Sequence, residues 1–189
     1  MLRRSLKLVG VDEAGRGPLA GPVVAGAVSL RYAEPGLMDS KKLSEKKREA
    51  LFEVITQNHD WSFSVVTSRE IDEYNIHQAS LLAFQRAVSA LNADIEQVLV
   101  DGVHLPNWSY QSSAIIKGDE KIAAISAASI IAKVVRDRMM VGLDTLYPHY
   151  GFAKHKGYPT KAHLAALDQH GPILSHRVSY QPVKKRVRT

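Results

Sequence analysis

Asp12 and Glu13 stand side by side after the apolar run at residues 6–11, and a glycine-rich turn, Gly15-Arg16-Gly17-Pro18, follows at once. Carboxylates buried without partners are costly, so acids at the end of a core strand need a physical reason. A hard divalent cation is one, because magnesium and manganese prefer oxygen ligands and keep waters for a substrate phosphate. Two more aspartates occur in the same kind of place. Asp101 closes the apolar run 97–100, and Asp119 follows the run 114–116 through Lys117-Gly118. If those strands are neighbours, Asp12, Asp101, Asp119 and Glu13 converge at one end of a sheet. They could then hold two ions about 4 Å apart, the arrangement of in-line phosphodiester hydrolysis. Strand parity sets a condition: adjacent strand residues point to opposite faces, so Glu13 joins Asp12 only at a bulge or a strand end.

The turn beside the acids has its own chemistry. Its glycines allow close backbone approach with exposed N–H groups, and Arg16 can bind a phosphate or sugar. Tyr158, within Lys154-His155-Lys156-Gly157-Tyr158-Pro159-Thr160-Lys161, sets an aromatic face among cations, as suits stacking on a sugar or base. Two other readings of the turn fail. A triphosphate loop needs Lys followed by Ser or Thr where Arg16-Gly17 stand, and a dinucleotide fingerprint needs a helix that Pro22 would interrupt. Taken singly, each acid also has a plain structural role: Asp119 as a helix cap, Asp101 before Gly102 as a turn residue, and Asp137 as the partner of Lys133 one turn earlier. His149, His155, His163, His170 and His176 lack the short paired spacing of a helical zinc site.

Elements must position these groups. Residues 6–11 and 23–30 read as strands joined by a Gly/Pro turn, which should pair as a long hairpin. Ser44 precedes a helix with Ala50, Leu51, Val54 and Ile55 on one face, and residues 61–65 alternate as a third strand. Asn75 with Gln78 resembles a capping box ahead of Leu81, Phe84, Val88 and Leu91 at helical spacing. Residues 97–100 and 114–116 are short strands, and 122–140 a helix whose Ser126-Ala127-Ala128-Ser129 allows close packing on a sheet. The order predicts an α/β or α+β fold, with α/β the class expected, for the 189 residues. Past Tyr147-Pro148 the composition shifts to His, Lys, Tyr and Gly. A short helix follows Thr160, and Lys184, Lys185, Arg186 and Arg188 form a basic tail.

Composition narrows the classes. There is no cysteine, which removes thiolate zinc sites, thiol nucleophiles and disulfides. Lys plus Arg number 25 against 19 Asp plus Glu, a net charge of +6 that favours a polyanionic partner. The longest apolar stretch, residues 17–30, is too short for a bilayer, and Met1-Leu2-Arg3-Arg4 lacks a signal core, so a cytoplasmic location is expected.

Several separated motifs then agree. Asp12-Glu13-Ala14-Gly15-Arg16-Gly17-Pro18-Leu19-Ala20-Gly21-Pro22-Val23, Asp39-Ser40-Lys41-Lys42-Leu43, Val100-Asp101-Gly102, Lys117-Gly118-Asp119, Ser126-Ala127-Ala128-Ser129-Ile130-Ile131-Ala132-Lys133-Val134-Val135-Arg136-Asp137 and His155-Lys156-Gly157-Tyr158-Pro159-Thr160 resemble the bacterial ribonuclease HII family, in order and over nearly the whole chain. The resemblance implies a ribonuclease H-like mixed sheet flanked by helices, with a catalytic domain over 1–145 and a small helical, basic substrate-binding segment over 146–189. It implies an endonuclease dependent on Mg2+ or Mn2+ that cuts the RNA strand of RNA–DNA hybrids. Duplex DNA carrying single ribonucleotides would also be cut, on their 5′ side, leaving 3′-hydroxyl and 5′-phosphate ends.

By the same resemblance Asp12, Glu13, Asp101 and Asp119 are the catalytic, metal-binding quartet. Gly15, Arg16 and Gly17 contact the backbone around the 2′-hydroxyl, Tyr158 packs on the sugar, Lys41 binds substrate, and Lys133 and Asp137 support the site. The chain is expected to be a monomer, with its tail a candidate contact for a replication clamp. One departure stands out: Ser179-Tyr180-Gln181-Pro182-Val183 lies where the family usually has a phenylalanine-like aromatic. Residues 103–113 follow no familiar pattern. The rival readings are a catalytically silent nucleic-acid-binding module, which has no use for four acids near its polyanion, and a nucleotide phosphotransferase.

Overall fold

The computed structural model describes residues 7–37 and 43–187, leaving Leu6, expected in the first strand, outside. Five strands form one mixed sheet: β1 Lys7–Ala14, β2 Val23–Ser29, β3 Asp60–Val66, β4 Ile95–Asp101 and β5 Ser112–Ile115. Their spatial order is β3-β2-β1-β4-β5. β1 with β2 and β2 with β3 pair antiparallel, while β1 with β4 and β4 with β5 pair parallel. The expected hairpin and α/β mixed sheet are both present. β2 is buried along its whole length, which explains its unbroken apolar reading.

Helices α1 Glu45–Asn58, α2 Ser68–Ala90 and α3 Ala123–Leu146 cover the sheet. α2 packs Ala79, Ala83, Phe84, Ala87 and Val88 against Val9, Val11, Val98 and Val100 on one face. On the other, Ala127, Ala128, Ile130, Ile131 and Val134 of α3 meet Val28 and Ile55. α3 lies so close that a Cβ on Gly10 or Gly26 would collide with the backbone of Ala124 or Ala128. The Ser126-Ala127-Ala128 stretch makes that approach feasible, and Ser126 also hydrogen-bonds the Leu37 carbonyl.

Several boundaries differ from the sequence reading. α2 starts at Ser68, where Thr67 and Glu70 form a reciprocal capping box. Asn75 sits at a kink inside it, with φ 66°, and its side chain accepts from the N–H groups of His77 and Gln78 at 2.9 and 3.1 Å. It caps the second half of a bent helix and does not begin one. α3 runs on to Leu146, past the expected end at Met140. β1 continues through Asp12 and Glu13 to Ala14, so both acids lie within the strand. Ser44 caps α1 as expected.

Beyond α3 come three short helices, α4 Phe152–His155, α5 Lys161–His170 and α6 Gln181–Lys184. Thr160 caps α5. This segment packs Tyr150, Phe152, Leu167 and Val183 on Leu19, Ala20 and Met140, so the chain after α3 shares a core with the turn after β1. Among the described residues no helix is long and apolar enough to cross a membrane.

The packing predicts opposite outcomes for two glycines. Gly26→Ala should lower stability by about 1–3 kcal/mol through overpacking against α3. Gly142→Ala, on the exposed side of α3 with open space around it, should raise stability by up to ~1 kcal/mol. Urea midpoints of the two variants, shifting in opposite directions, check this.

Candidate active site

Val11 on β1 pairs with Val100 on β4, and both pack on the α2 side of the sheet. The next residue on each strand, Asp12 and Asp101, therefore turns to the α3 side at neighbouring positions. Asp101 accepts from the Gly118 N–H at 2.6 Å, which ties it to a 3-10 turn, Gly118–Glu120, holding Asp119. Asp119 is buried and does not cap α3; Ile122 holds that position without a side-chain cap.

No bulge interrupts β1 at Asp12 and Glu13, and parity sends Glu13 the other way. There it lines a cavity of about 300 Å³ with His77, Ser80, Phe84, Asp101 and His104. Because β4 ends at Asp101, Glu13 also reaches a second cavity, of about 410 Å³. That cavity is lined by Asp12, Glu13, Gly15, Arg16, Gly17 and Tyr158, with Arg48, Ser129, Lys133 and Arg136. Glu13 lies one residue inside the end of β1, past the point where the ladder to β4 stops, and lines this cavity beside Asp12.

Electrostatics marks the same place. The Asp12 carboxyl is pushed well above its ordinary range, first by burial and then by repulsion from Glu13 and Asp101, with Asp119 a smaller contributor. Glu13 is raised by burial, against the opposing pull of Arg16, whose Nη1 donates to Glu13 Oε1 at 3.1 Å. Acids packed until they repel are what a divalent cation relieves, and these donors are all hard oxygens. Among the described residues no three acid or imidazole side chains are grouped closely enough to hold a metal by themselves. The donor set is one of hard oxygens, the chemistry that Mg2+ and Mn2+ prefer.

A larger cavity, about 660 Å³, lies at the opposite end of the sheet, lined by Lys7, Arg31, Asp60 and the start of α3. It carries no comparable strain, because Lys7 and Arg31 both pair with Asp60, at 2.5 and 2.7 Å.

The remaining expected residues are placed as follows. The Gly15-Arg16-Gly17 turn and Tyr158 line one cavity, with the Tyr158 ring 3.5 Å from where a Gly17 Cβ would be. Lys133 lines that cavity, and Asp137 binds Lys133 at 2.8 Å, as the helical spacing suggested. Lys41 lies outside the described residues. The tail is partly folded back: Arg186 forms a two-bond ion pair with Asp168, and Arg188 lies outside the described residues. Arg48, Ser129, Arg136, Arg177 and Tyr180 were missed as parts of this region. Arg136 joins the Ala20 and Pro22 carbonyls to that of Lys156. No short motif signals such a bond, because its acceptors are backbone groups remote in sequence.

Tyr158 is held by a relay of buried imidazoles. The Ile173 N–H donates to His176 Nδ1, so the His176 proton sits on Nε2 and faces His163 Nε2 at 3.0 Å. The His163 proton is thereby on Nδ1, donated to the Tyr158 carbonyl at 2.9 Å. His155 accepts from the Gly157 N–H and donates to the Tyr150 carbonyl. Every ring is neutral in this scheme. Burial pushes His176 down to about 4, helped by His163, and lowers His163 as well.

With this geometry in view, the chain matches the family model for Ribonuclease HII over residues 9–183. The chain belongs to the ribonuclease HII family. It is 60% identical over 179 residues to the ribonuclease HII of Shewanella pealeana, covering 93% of this chain and 88% of that one. The ribonuclease H2 of Pyrococcus horikoshii OT3 superposes with a TM-score of 0.82 at 29% identity, covering 96% and 97% of the two chains. The ribonuclease HII of Archaeoglobus fulgidus, solved in complex with PCNA, gives 0.79 at 26% identity, covering 93% and 96%. The sheet is thus the ribonuclease H fold, and the protein is an endoribonuclease of the ribonuclease H class, acting on RNA–DNA hybrids.

Two expectations follow. Asp12→Asn removes a buried, repelled charge, so the variant should melt higher than the parent in metal-free buffer at neutral pH, by about 2–4 °C per kcal/mol relieved. Added Mn2+ should raise the parent's melting temperature more than the variant's. His163 and His176 titrate lower when folded than unfolded, so the stabilisation from His176 is present above about 6.5 and lost as pH falls toward about 4. His176→Gln should flatten the decline of the urea midpoint across that window, where the shift corresponds to roughly 3 kcal/mol.

Proposed function

We propose that this ribonuclease HII cuts on the 5′ side of single ribonucleotides embedded in duplex DNA, as well as within RNA–DNA hybrids, at the site formed by Asp12, Glu13, Asp101 and Asp119. The observation that carries the reading is the union, in one cavity, of strained acids with a glycine turn, an arginine and a tyrosine face. Acids alone would serve any metal-dependent hydrolase. The turn and Tyr158 add a surface suited to a sugar, and the 2′-hydroxyl is what separates a ribonucleotide from its DNA neighbours.

When bound, a pair of Mg2+ or Mn2+ ions supplies an activated water and stabilises the leaving 3′ oxygen. Asp12, Glu13, Asp101 and Asp119 would hold that pair, Asp12 and Asp101 from adjacent strands. Water adds to phosphorus, the bond to the 3′ oxygen breaks, and 3′-hydroxyl and 5′-phosphate ends result. Lys133, steadied by Asp137, offers positive charge to the phosphate backbone. Gly15, Arg16 and Gly17 would meet the sugar and its phosphate, Tyr158 would pack on the ribose, and Lys41 would add a further phosphate contact.

We assign residues 1–145 to catalysis and 146–189 to substrate binding, a boundary at the end of α3. The nucleic-acid substrate suits a monomer in the cytoplasm. A replication clamp is the partner proposed for the tail, by analogy with the archaeal relative solved with PCNA.

The deciding assay uses a labelled DNA duplex with one internal ribonucleotide, in magnesium, manganese or chelator, beside an all-DNA control. A single metal-dependent cut 5′ to the ribonucleotide, with the control intact, is expected. Binding without cleavage in either metal would make the chain a silent binding module. Asp12→Asn should lose about 10³-fold or more in kcat while hybrid binding survives. Arg16→Ala and Tyr158→Ala should weaken discrimination for the junction by about tenfold, and duplex affinity far less. Equal losses on junction and all-DNA duplexes would reduce both residues to electrostatic roles.

A further inference from the structure

Behind the Gly15-Arg16-Gly17 turn sits a fully buried guanidinium that no motif singles out. Arg177 has five N–H donors, and all five are engaged. Nε donates to the Gly21 carbonyl at 3.1 Å, and Nη2 to the carbonyls of Gly15 and Gly21 at 2.6 and 2.9 Å. Nη1 donates to the Arg16 carbonyl at 2.9 Å and to the Tyr180 hydroxyl at 3.1 Å. That hydroxyl passes its own proton to the Arg16 carbonyl at 2.7 Å, while the guanidinium carbon lies 5.2 Å from the Tyr180 ring centroid. A buried cation is thus satisfied by dipoles of the turn.

The consequence lies in the peptide plane. In a trans peptide the carbonyl of one residue and the N–H of the next point in opposite directions. Pinning the Gly15 and Arg16 carbonyls inward on Arg177 therefore turns the N–H groups of Arg16 and Gly17 away from it. Both residues are exposed and line the cavity that holds Asp12 and Tyr158. Gly15 itself has φ 103°, and a Cβ there would strike Arg136, so the turn is braced by a second buried guanidinium.

We propose that Arg177 and Tyr180 are positioning residues for ribonucleotide selection. Acting through the Gly15 and Arg16 carbonyls, they hold the N–H groups of Arg16 and Gly17 ready for a ribose hydroxyl oxygen and its neighbouring phosphate. This rests on the reading of the turn given above. The hydroxyl of Tyr180 is the informative atom. A phenylalanine-like residue at that position keeps the ring and loses one bond to the turn and one to Arg177.

The test uses the full chain, with Tyr180→Phe as the minimal change and Arg177→Lys as the stronger one. Lysine keeps the charge but offers a three-donor point where a five-donor fork is needed. Tyr180→Phe removes two hydrogen bonds, one to the Arg16 carbonyl and one from Arg177, and should melt within about 8 °C of the parent. Amide hydrogen exchange at Arg16 and Gly17 should speed up in both variants. On the single-ribonucleotide duplex, kcat should fall about three- to tenfold in Tyr180→Phe with KM nearly unchanged, and further in Arg177→Lys.

Unchanged exchange and kcat in Tyr180→Phe would overturn the inference while leaving the functional reading intact. Faster exchange with parental kcat would also overturn it, since the turn would be held but unused. A parent that never cuts the ribonucleotide duplex would sink the underlying reading, and this inference with it.

Discussion

Asp12 and Asp101 lie one residue beyond the Val11–Val100 pair on adjacent parallel strands, and carboxylates so placed repel each other. Something must hold them together without a counter-charge between them, because a cation-binding site that neutralises itself cannot bind a cation. The sheet does this with backbone hydrogen bonds. β1 is the central strand, paired with β4 as far as Val11 and with β2 on through Ala14, so the β2 ladder anchors its end against the repulsion. α2 and α3 clamp its two faces, with Val9 and Val11 in one core and Gly10 against the α3 backbone. The strain that raises Asp12 is a stability cost borne at a functional site, where local rules are commonly broken.

Beside those acids stands a surface held by the opposite kind of charge. Arg136 and Arg177 are buried among carbonyls, and burial lowers both, Arg136 to about 10, still far above neutral pH. They join the turn after β1 to the C-terminal segment, Arg177 from the loop after α5 and Arg136 from α3. The imidazole relay ties Tyr158 to the same segment through neutral hydrogen bonds. The region after α3 is therefore a brace for the turn. The acids are placed by strand register, and the glycine turn and Tyr158 by long-range side-chain bonds to backbone.

That division explains what could be read from the chain beforehand. Strand ends show in sequence as apolar runs closed by acids, so Asp12, Asp101 and Asp119 stood out without any structure. Periodicity gave the helices, but their limits depended on competing caps. Thr67 with Glu70 captured the start of α2, while Asn75, an equally good cap in isolation, ended up inside a bend. Glu13 was ambiguous for a sound reason: its reach depends on where β4 stops, a fact about a strand some 80 residues away. Arg177 and Tyr180 were invisible as positioning groups because their partners are carbonyls, which every residue carries. Residue types alone cannot announce them.

The net charge illustrates the same limit. A surplus of +6 suggests a cationic surface, yet many of the cations already have partners inside the fold. Lys7 and Arg31 share Asp60, Arg86 holds Glu70, Arg138 holds Glu49, and Arg186 holds Asp168. Two of the cations that line the cavity beside the acids are paired as well, Arg16 with Glu13 and Lys133 with Asp137. Arg16 is half exposed while Glu13 is nearly buried, so a phosphate that took Arg16 would leave Glu13 buried without its counter-charge. A cation that draws Glu13 would release Arg16 at the same moment. Charge and register then act together, because the carboxylate that lines both cavities is also the one that holds the arginine of the turn.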